Sequence, residues 1–534
     1  MDGEPELDAI VVGAGFAGLY ALYKLRDELG MRVVVFEMGD GVGGTWYWNR
    51  YPGARCDSES YYYCYSFSPE LAQEWEWSGR YPEQPEIERY LNHVADRFDL
   101  RRDIRLSTRV TAATYDDSAN HWEVETEQGD RVQARYLVSA VGCLSAPLRP
   151  DIPGMDDFGG DVYFTATWPR EGVDFAGKRV GLIGTGSSGI QAAPEIAKQA
   201  DHLTVFQRTP NYSIPARHRP FLAEDQSRIK ANYDEIFDLT RKTYGGFPFY
   251  TIDRTTMSVS PEEREEILEG LWGEGGFKFL WGGFSDLLHD PEANEIASEF
   301  IRSKIRATVR DPETAELLCP KGYPYGAKRP PVDTDYYETF NRENVSLVDI
   351  SDAPIREITP TGLRTDTASY DFDMVVFATG FDAMTGSLLR MDIRGAHGVR
   401  LADAWADGPR TLLGLAMAGF PNLFTITGPG SPSVLLNMPV AIEQHVDWIA
   451  DCIEFMREHG WTRVDATEDA QDEWVRHVAE LGQFALFART NSWYVGANIP
   501  GKPRVVMPYV GGQPTYRKRC DDVAASGYEG FAFR

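Results

Sequence analysis

Two stretches of the chain follow the same alternation of apolar and polar positions. In each, a short apolar run meets a glycine-rich turn, an apolar face with helical spacing follows, and a second apolar run closes the unit. Short apolar runs are typical of buried strands, and the helical spacing between them is typical of a crossover helix. The pattern therefore predicts two parallel β-α-β units, near residues 8–37 and 179–209.

The first unit has the spacing of a dinucleotide-binding turn. Gly13, Gly15 and Gly18 form G-x-G-x-x-G after the run Asp8–Val12, and the second run ends at Glu37, 19 residues after Gly18. Such glycines permit a tight bend, close approach of the backbone to a pyrophosphate, and packing of helix on strand. The helix N-terminus then faces the phosphates, and an acid at this distance binds a ribose hydroxyl. We predict an FAD site here.

The second unit carries the same turn but ends differently. Its turn residues after the run 179–183 are Gly184, Gly186, Ser187, Ser188 and Gly189. The closing run, "LTVFQ", ends with no acid, and Arg208 and Thr209 follow it. An acid there would repel a ribose 2′-phosphate, whereas a guanidinium pairs with it. The second unit therefore predicts an NADPH site.

Two further segments indicate how these units are joined. "LVSAVGCLSAP" (137–147) is interpreted as the chain leaving the first domain, and the buried strand within "YDFDMVVFATGFDAMTG" (370–386) as its return. Between them lies charged helical periodicity, with helix starts of the form Ser/Asp-Pro-Glu at Ser260, Asp290 and Asp311. We predict an α/β fold of two dinucleotide-binding, Rossmann-like domains with a helical insertion. The predicted ranges are 1–143 and 380–534 for FAD, 144–215 and 326–379 for NADPH, and 216–325 for the insertion.

Composition then narrows the classes of function. The 534 residues are 43% hydrophobic and carry a net charge of −28, which argues against a nucleic-acid partner because such surfaces need clustered positive charge. No apolar run approaches about 18 residues, so no membrane span is expected. The start "MDGEPELDAIVVGAG" lacks the basic region of a signal peptide. The six cysteines are scattered without C-x-x-C spacing, so we expect a cytoplasmic protein with reduced thiols and no metal site.

Two dinucleotide sites in one chain indicate a flavoprotein in which the nicotinamide delivers hydride to the flavin. A reduced flavin passes electrons to a disulfide, a quinone, a protein partner or oxygen. Cys56 and Cys64 lie eight residues apart and no closer cysteine pair exists, which disfavours a disulfide. Oxygen is then the favoured acceptor, with the quinone and the protein partner left open.

Several longer segments resemble the type I Baeyer–Villiger monooxygenases, and within them the phenylacetone and steroid monooxygenases, over nearly the whole chain. "GGTWYWNRYPGARCD" (43–57) contains Gly44, Thr45, Trp46 and Asp57 and matches G-G-x-W-x-x-x-x-Y-P-G-x-x-x-D at every fixed position. "FGGDVYFTATWP" (158–169) fits F-x-G-x-x-x-H-x-x-x-W-P except at the histidine. The segments that look like the family's catalytic-arginine, substrate-bulge and mobile-loop regions are "KGYPYGAKR" (321–329), "GPGSPSVLLNMPVAIEQHVDW" (428–448) and "NSWYVGANIPGKPR" (491–504).

The resemblance implies an NADPH- and O₂-dependent flavin monooxygenase. Such an enzyme inserts oxygen next to a ketone carbonyl, through a C4a-peroxyflavin, and gives an ester or lactone. The resemblance implies that Arg329 is the cation at the reacting oxygens and that Asp57 positions it. A fixed cation favours a nearby anion and stabilises an oxyanion. The other implied contacts are Lys328 with the 2′-phosphate beside Arg208 and Thr209, Trp493 closing over the cofactor, and Ser433, Val434 and Leu435 lining the ketone pocket.

One position departs from the family pattern. Phe164 occupies the place of the fingerprint histidine, and the segment 158–169 contains no histidine. A histidine there hydrogen-bonds and changes charge near neutral pH, whereas phenylalanine only packs. Since Arg329 and Asp57 are present, the sequence predicts that oxygenation is kept and that Phe164 alters rate or coupling. The alternatives are a neutral replacement, a heteroatom monooxygenase acting on sulfides or amines, and an uncoupled NADPH-binding flavoprotein.

Overall fold

The structure is a computed structural model and describes residues 5–534. Within that range the strands are β1 (Leu7–Val12), β2 (Val33–Phe36), β3 (Ile104–Arg105), β4 (Val110–Asp116), β5 (His121–Thr126), β6 (Arg131–Ser139), β7 (Asp161–Phe164), β8 (Arg179–Ile183), β9 (His202–Gln207), β10 (Ile214–Pro215), β11 (Val332–Asp333), β12 (Val345–Asp349), β13 (Ile355–Thr359), β14 (Gly362–Thr365), β15 (Ser369–Asp371), β16 (Met374–Phe377), β17 (Asp392–Arg394), β18 (Leu423–Thr425), β19 (Val464–Ala466) and β20 (Phe531–Phe533).

The helices of the same range are α1 (Phe16–Tyr23), α2 (Thr45–Trp48), α3 (Pro69–Glu74), α4 (Gln84–Arg97), α5 (Ser187–Ala197), α6 (Ala223–Ala231), α7 (Tyr233–Lys242), α8 (Pro261–Glu274), α9 (Lys278–Trp281), α10 (Pro291–Thr308), α11 (Pro312–Leu318), α12 (Tyr336–Thr339), α13 (Gly386–Leu389), α14 (Leu401–Ala404), α15 (Met438–His459), α16 (Glu468–Gly482) and α17 (Gln513–Ala525). None of these helices is both long enough and apolar enough to pass through a lipid bilayer.

The first predicted unit forms part of an eight-stranded sheet. The strands follow the order β17-β4-β5-β6-β1-β2-β3, with β18 beside β6. β1 pairs in parallel with both β2 and β6, so that Ala9 lies opposite Val33 on one side and Tyr136 on the other. All four residues of β2 are buried, as expected for a parallel strand covered on both faces. The predicted strand-turn-helix-strand order is confirmed.

The second predicted unit supplies β8 and β9 to a five-stranded parallel sheet in the order β12-β9-β8-β16-β7. β16 is the strand predicted within residues 370–386, and all four of its residues are buried. β7 is an edge strand, and its last residue, Phe164, lies opposite Phe377 of β16. Together the two sheets confirm the α/β class with two Rossmann-like units.

The two crossings between the sheets run side by side. The backbone N–H of Leu148 donates to the Gly380 carbonyl at 3.0 Å, and that of Asp382 donates to the Ala146 carbonyl at 2.8 Å. Pro147 and Phe381 form an antiparallel bridge between these bonds. The chain therefore leaves and re-enters the FAD domain through one hydrogen-bonded pair of segments.

Helices α6–α11 occupy the predicted insertion. Ser260 accepts the N–H of Glu263 at 3.2 Å, and Asp311 accepts that of Thr314 at 2.8 Å. Asp290 likewise caps α10, so the three predicted helix starts are confirmed. The antiparallel sheet β13-β14-β15 was not predicted, because its strands are too short to show a clear alternation. The domain boundaries given above stay a prediction.

The two domains dock through the segment 43–57. Tyr51 Oη donates to Gln191 Oε1 at 2.8 Å, and Gln191 Nε2 donates to the Arg55 carbonyl at 3.0 Å. Gly53, between those two positions, has φ +78°. A Cβ on Gly53 would lie 2.3 Å from the Gln191 carbonyl oxygen, so glycine alone permits this approach to α5.

Gly53→Ala should weaken this docking. The added methyl meets both an unfavourable backbone angle and a fixed carbonyl, which together cost about 2 kcal/mol or more. Hydrogen exchange at the first turn of α5 should rise and the thermal midpoint should fall. Gly177→Ala is the matched control, because Gly177 has φ +70° but nothing within 4 Å of its Cβ position. Equal effects in the two variants would contradict this account of the interface.

Candidate functional site

The first glycine turn is closed by backbone contacts that exclude side chains. Gly13 has φ +104°, and a Cβ on Gly18 would lie 1.7 Å from the Gly13 carbonyl oxygen. Gly15 meets Gly44, the residue before α2, where an added Cβ would lie 2.9 Å from the Gly15 Cα. The turn of the first unit and the start of the segment 43–57 thus present two stretches of bare backbone side by side, at the N-termini of α1 and α2.

Glu37 lies against this turn. Its two carboxylate oxygens accept the N–H groups of Ala14 and Gly39, both at 2.7 Å. Burial raises the pKa of Glu37, while these backbone bonds oppose the shift. Each oxygen keeps a lone pair for a ribose hydroxyl, so the residues present fit the adenosine half of FAD.

The segment after Gly44 divides between surface and core. Thr45 is exposed at the start of α2, whereas Trp46 is buried, and its Nε1–H donates to Tyr63 Oη at 3.2 Å. Trp46 therefore supports the wall beside the turn, while Thr45 is accessible from outside.

The second glycine turn has the same closed geometry with one open position. Gly184 has φ +110°, and a Cβ on Gly189 would lie 2.0 Å from the Gly184 carbonyl oxygen. Nothing lies within 4 Å of a Cβ placed on Gly186. Ser187 and Ser188 are the first residues of α5. The helix N-terminus therefore faces free space at Gly186, which fits a pyrophosphate.

Cations gather at the end of β9. Arg208 is exposed there, and the Thr209 carbonyl accepts Thr185 Oγ1 at 3.0 Å. Lys328 Nζ lies 4.6 Å from the centre of the Tyr323 ring. Burial lowers the pKa of Lys328, and the nearby Arg208 guanidinium lowers it further. Two cations this close repel each other unless an anion lies between them, and a ribose 2′-phosphate would satisfy both.

Arg329 is held on three sides. Its Nε and Nη2 donate to the two oxygens of Asp57 at 2.7 and 2.9 Å, and its Nη1 donates to the Val434 carbonyl at 2.8 Å. Its Cζ lies 4.3 Å from the centre of the Phe277 ring. Burial opposes the charge on Arg329, but Asp57 more than offsets this and the pKa is raised. The side chain remains 20% exposed, so a permanent cation faces a cavity.

The cavity beside Arg329 encloses about 480 Å³ of space that no atom fills, part of it open to solvent. Its walls include Val434 and Leu435, two of the residues expected to line a ketone pocket. Ser433 is not among the wall residues. It is fully buried, and its Oγ donates to the Thr427 carbonyl at 3.0 Å.

Two residues of the cavity region were not found from the sequence. Tyr494 lines the cavity and is close enough to Arg329 for each to shift the pKa of the other. Trp493, the residue expected to close over the cofactor, is half-buried, and the centre of its ring lies 4.4 Å from that of Tyr494. Tyr494 could have been found because it adjoins Trp493 in the quoted segment. Phe277, beneath the guanidinium, belongs to no motif.

Phe164 lies away from the cavity, at the edge of the NADPH sheet. Its ring stacks on that of Phe377 with centroids 5.1 Å apart and planes at 18°. The side chain is only partly buried. The end of β7 is therefore held to β16 by aromatic packing.

The six cysteines are all free and buried. Burial raises the pKa of both Cys56 and Cys64, which keeps them as unreactive thiols.

The two glycine turns and the guanidinium between the domains define a flavin- and nicotinamide-dependent oxidoreductase. The family description pyridine nucleotide-disulphide oxidoreductase matches residues 10–243. A Baeyer–Villiger monooxygenase of Pseudooceanicola batsensis is 45% identical over 98% of this chain and 95% of its own. A phenazine N-monooxygenase of Lysobacter antibioticus is 45% identical over 98% and 96%. A solved structure described as oxidized steroid monooxygenase bound to NADP is 52% identical, covers 99% of each chain and has a TM-score of 0.95.

The chain belongs to the Baeyer–Villiger monooxygenase family of flavoproteins. It is an FAD-dependent enzyme that uses NADPH, and other solved relatives contain FAD together with NADP. The resemblance drawn from the motifs is confirmed.

Gly186→Val should fold normally but bind NADP⁺ about tenfold or more weakly, because the new side chain fills the space left for the pyrophosphate. Binding is measured by calorimetry, and folding by the thermal midpoint without NADP⁺. Gly189→Ala is the contrasting variant, since its methyl clashes within the turn itself and should lower the thermal midpoint. Undiminished NADP⁺ binding by Gly186→Val would show that the pyrophosphate lies elsewhere.

Proposed function

We propose that this chain converts a ketone to an ester or lactone, with Arg329 as the catalytic cation and Asp57 as its positioning partner. The overall reaction consumes the ketone, O₂, NADPH and a proton, and gives the ester, NADP⁺ and water. The observation that supports this most is the bidentate pair of Arg329 and Asp57 at the wall of the cavity. A guanidinium fixed there stabilises negative charge on the reacting oxygens.

When bound, FAD and NADPH together supply the electrons that activate oxygen. The residues of this chain then bind and orient the cofactors and the substrate, and they exclude water. The bare backbone of the two glycine turns would hold the pyrophosphates, Glu37 the FAD ribose, and Arg208, Thr209 and Lys328 the 2′-phosphate. Trp493 would close over the cofactor from the segment 491–504.

Arg329 stays protonated throughout the working pH range because its pKa is raised above that of an ordinary arginine. It is therefore a fixed charge and neither accepts nor releases a proton. Asp57 and the Val434 carbonyl occupy three of its donors, which leaves the others for the developing oxyanion.

The cavity also indicates the kind of ketone. Apart from Arg329, its walls are mainly apolar and aromatic, with Trp281, Leu435, Phe487 and Tyr494 among them. Such walls favour a carbonyl compound with apolar substituents, whose oxygen is turned toward the guanidinium. Val434 and Leu435 would set the shape of that pocket. Ser433 would support its wall from behind, through the hydrogen bond to the Thr427 carbonyl.

Oxygenation of nitrogen or sulfur is the second candidate. It is favoured by one observation, the similarity to a phenazine N-monooxygenase. A heteroatom attacks an electrophilic, protonated oxygen, whereas a ketone needs an anionic one. The fixed charge of Arg329 favours the anion, so we place ketones first.

Arg329→Lys should lower ketone oxygenation about 10²-fold, because lysine cannot keep the bidentate geometry while pointing charge at the substrate. Asp57→Asn should have a similar effect through the loss of orientation. Ester formation is measured by mass spectrometry together with NADPH oxidation. Arg356→Lys is the matched control, since Arg356 makes a bidentate pair with Asp366 on the exposed sheet β13-β14-β15. Unchanged ester formation by Arg329→Lys would reject the assignment of the cation.

Phe164→His should change coupling rather than oxygenation itself. The imidazole gains a hydrogen-bonding group, worth about 1 kcal/mol, so we expect the ratio of hydrogen peroxide to ester to fall about fivefold. Phe164→Leu is the control because leucine packs on Phe377 but has no polar atom. If leakage, NADPH oxidation and ketone turnover are the same in wild type and Phe164→His, position 164 does not control coupling.

A further inference from the structure

A buried histidine lies behind the wall of the cavity without touching it. His445, in α15, is 0% exposed. Its Nδ1 accepts the N–H of Thr427 at 2.8 Å, and its Nε2 lies 3.0 Å from Tyr516 Oη. Tyr516 Oη donates its own proton to the Leu413 carbonyl at 2.6 Å. The imidazole must therefore be the donor at Nε2, which fixes it as a neutral ring with its proton on that atom.

The backbone on which this histidine acts is strained. Leu413, Thr427 and Ser433 have φ values of +59°, +55° and +43°. Left-handed backbone is unusual for any residue other than glycine, and most unusual for a β-branched one such as Thr427. Such residues persist only where their surroundings hold them, and they concentrate at functional sites.

The network connects these strained residues to Arg329. Ser433 Oγ donates to the Thr427 carbonyl at 3.0 Å. Ser433 opens the turn Ser433–Leu435, and the carbonyl of the next residue, Val434, accepts Arg329 Nη1 at 2.8 Å. A continuous series of hydrogen bonds and backbone thus runs from Tyr516 through His445, Thr427 and Ser433 to the guanidinium.

We propose that His445 is a positioning residue for the reaction. By holding Thr427 in its left-handed conformation, it fixes the Ser433 turn and hence the Val434 carbonyl that orients Arg329. This inference rests on the proposed role of Arg329. The contrasting view is that His445 only fills the core, in which case its two nitrogens matter equally.

Two substitutions distinguish the roles of the two imidazole nitrogens of His445. Asparagine places its amide oxygen where Nδ1 lies, so His445→Asn keeps the acceptor for Thr427 and loses the donor to Tyr516. Glutamine places its amide where Nε2 lies, so His445→Gln keeps the donor and loses the acceptor. His459→Gln is the control because His459 is exposed on the same helix. Thr427→Gly in the His445→Gln background tests the strain directly, since glycine adopts positive φ without support.

On FAD-loaded protein, His445→Gln should raise amide exchange across residues 427–436 and lower kcat for the ketone about tenfold, with KM for NADPH unchanged. His445→Asn should stay close to His459→Gln, and the double variant should recover both exchange and kcat. Ser433→Ala removes the hydrogen bond from Ser433 Oγ to the Thr427 carbonyl and should change exchange and kcat in the same way as His445→Gln. It therefore replaces His445→Gln as the test variant if that protein does not fold.

Equal effects of the asparagine and glutamine variants, or no recovery in the double variant, would overturn the inference. So would unchanged exchange and kcat in Ser433→Ala. The exchange measurement does not depend on turnover. If wild-type protein forms no ester from any ketone, the proposed function fails, while the comparison of exchange still decides whether His445 positions the turn.

Discussion

The ion pair of Arg329 and Asp57 is the interaction on which the rest of the site depends, because it joins two segments that lie 272 residues apart in the chain. Asp57 ends the segment 43–57 of the FAD domain, and Arg329 precedes the return of the chain to the NADPH sheet. Withdrawing a guanidinium from water is costly unless its donors are satisfied. The Asp57 carboxylate and the Val434 carbonyl accept from three of its donors, and the Phe277 ring packs against the guanidinium.

Docking itself depends on bare backbone at a few positions. The glycine turns bring helix against strand within each domain, and Gly53 brings the segment 43–57 against α5 between domains. The paired crossings at Ala146–Leu148 and Gly380–Asp382 limit how far the domains can separate. Since these contacts are made by backbone atoms, they tolerate little change in distance.

The sequence was sufficient for features that are local along the chain. Spacing alone located the two β-α-β units, the helix starts at Ser260, Asp290 and Asp311, and the return strand β16. It was not sufficient where the role of a residue depends on a distant contact. Phe277 belongs to this group because nothing beside it in sequence marks the guanidinium that it contacts. His445 lies within the segment 428–448, but its contacts with Thr427 and Tyr516 depend on the fold. Ser433 was placed on the pocket wall, but its left-handed backbone turns the hydroxyl inward to the Thr427 carbonyl.

The replacement of the fingerprint histidine by Phe164 is consistent with how the domains are held together in this chain. The stack of Phe164 on Phe377 is apolar, and the two docking bonds of the Gln191 amide are made with the Tyr51 hydroxyl and the Arg55 carbonyl. Burial raises the pKa of Tyr51 to about 12, so that hydroxyl stays neutral across the physiological range. The charge on Arg329 is equally constant, because its pKa is raised further above the usual value for arginine. A junction built from groups that do not titrate near neutrality keeps its geometry as pH changes. In this chain, then, protonation of these docking groups does not alter the junction near neutral pH.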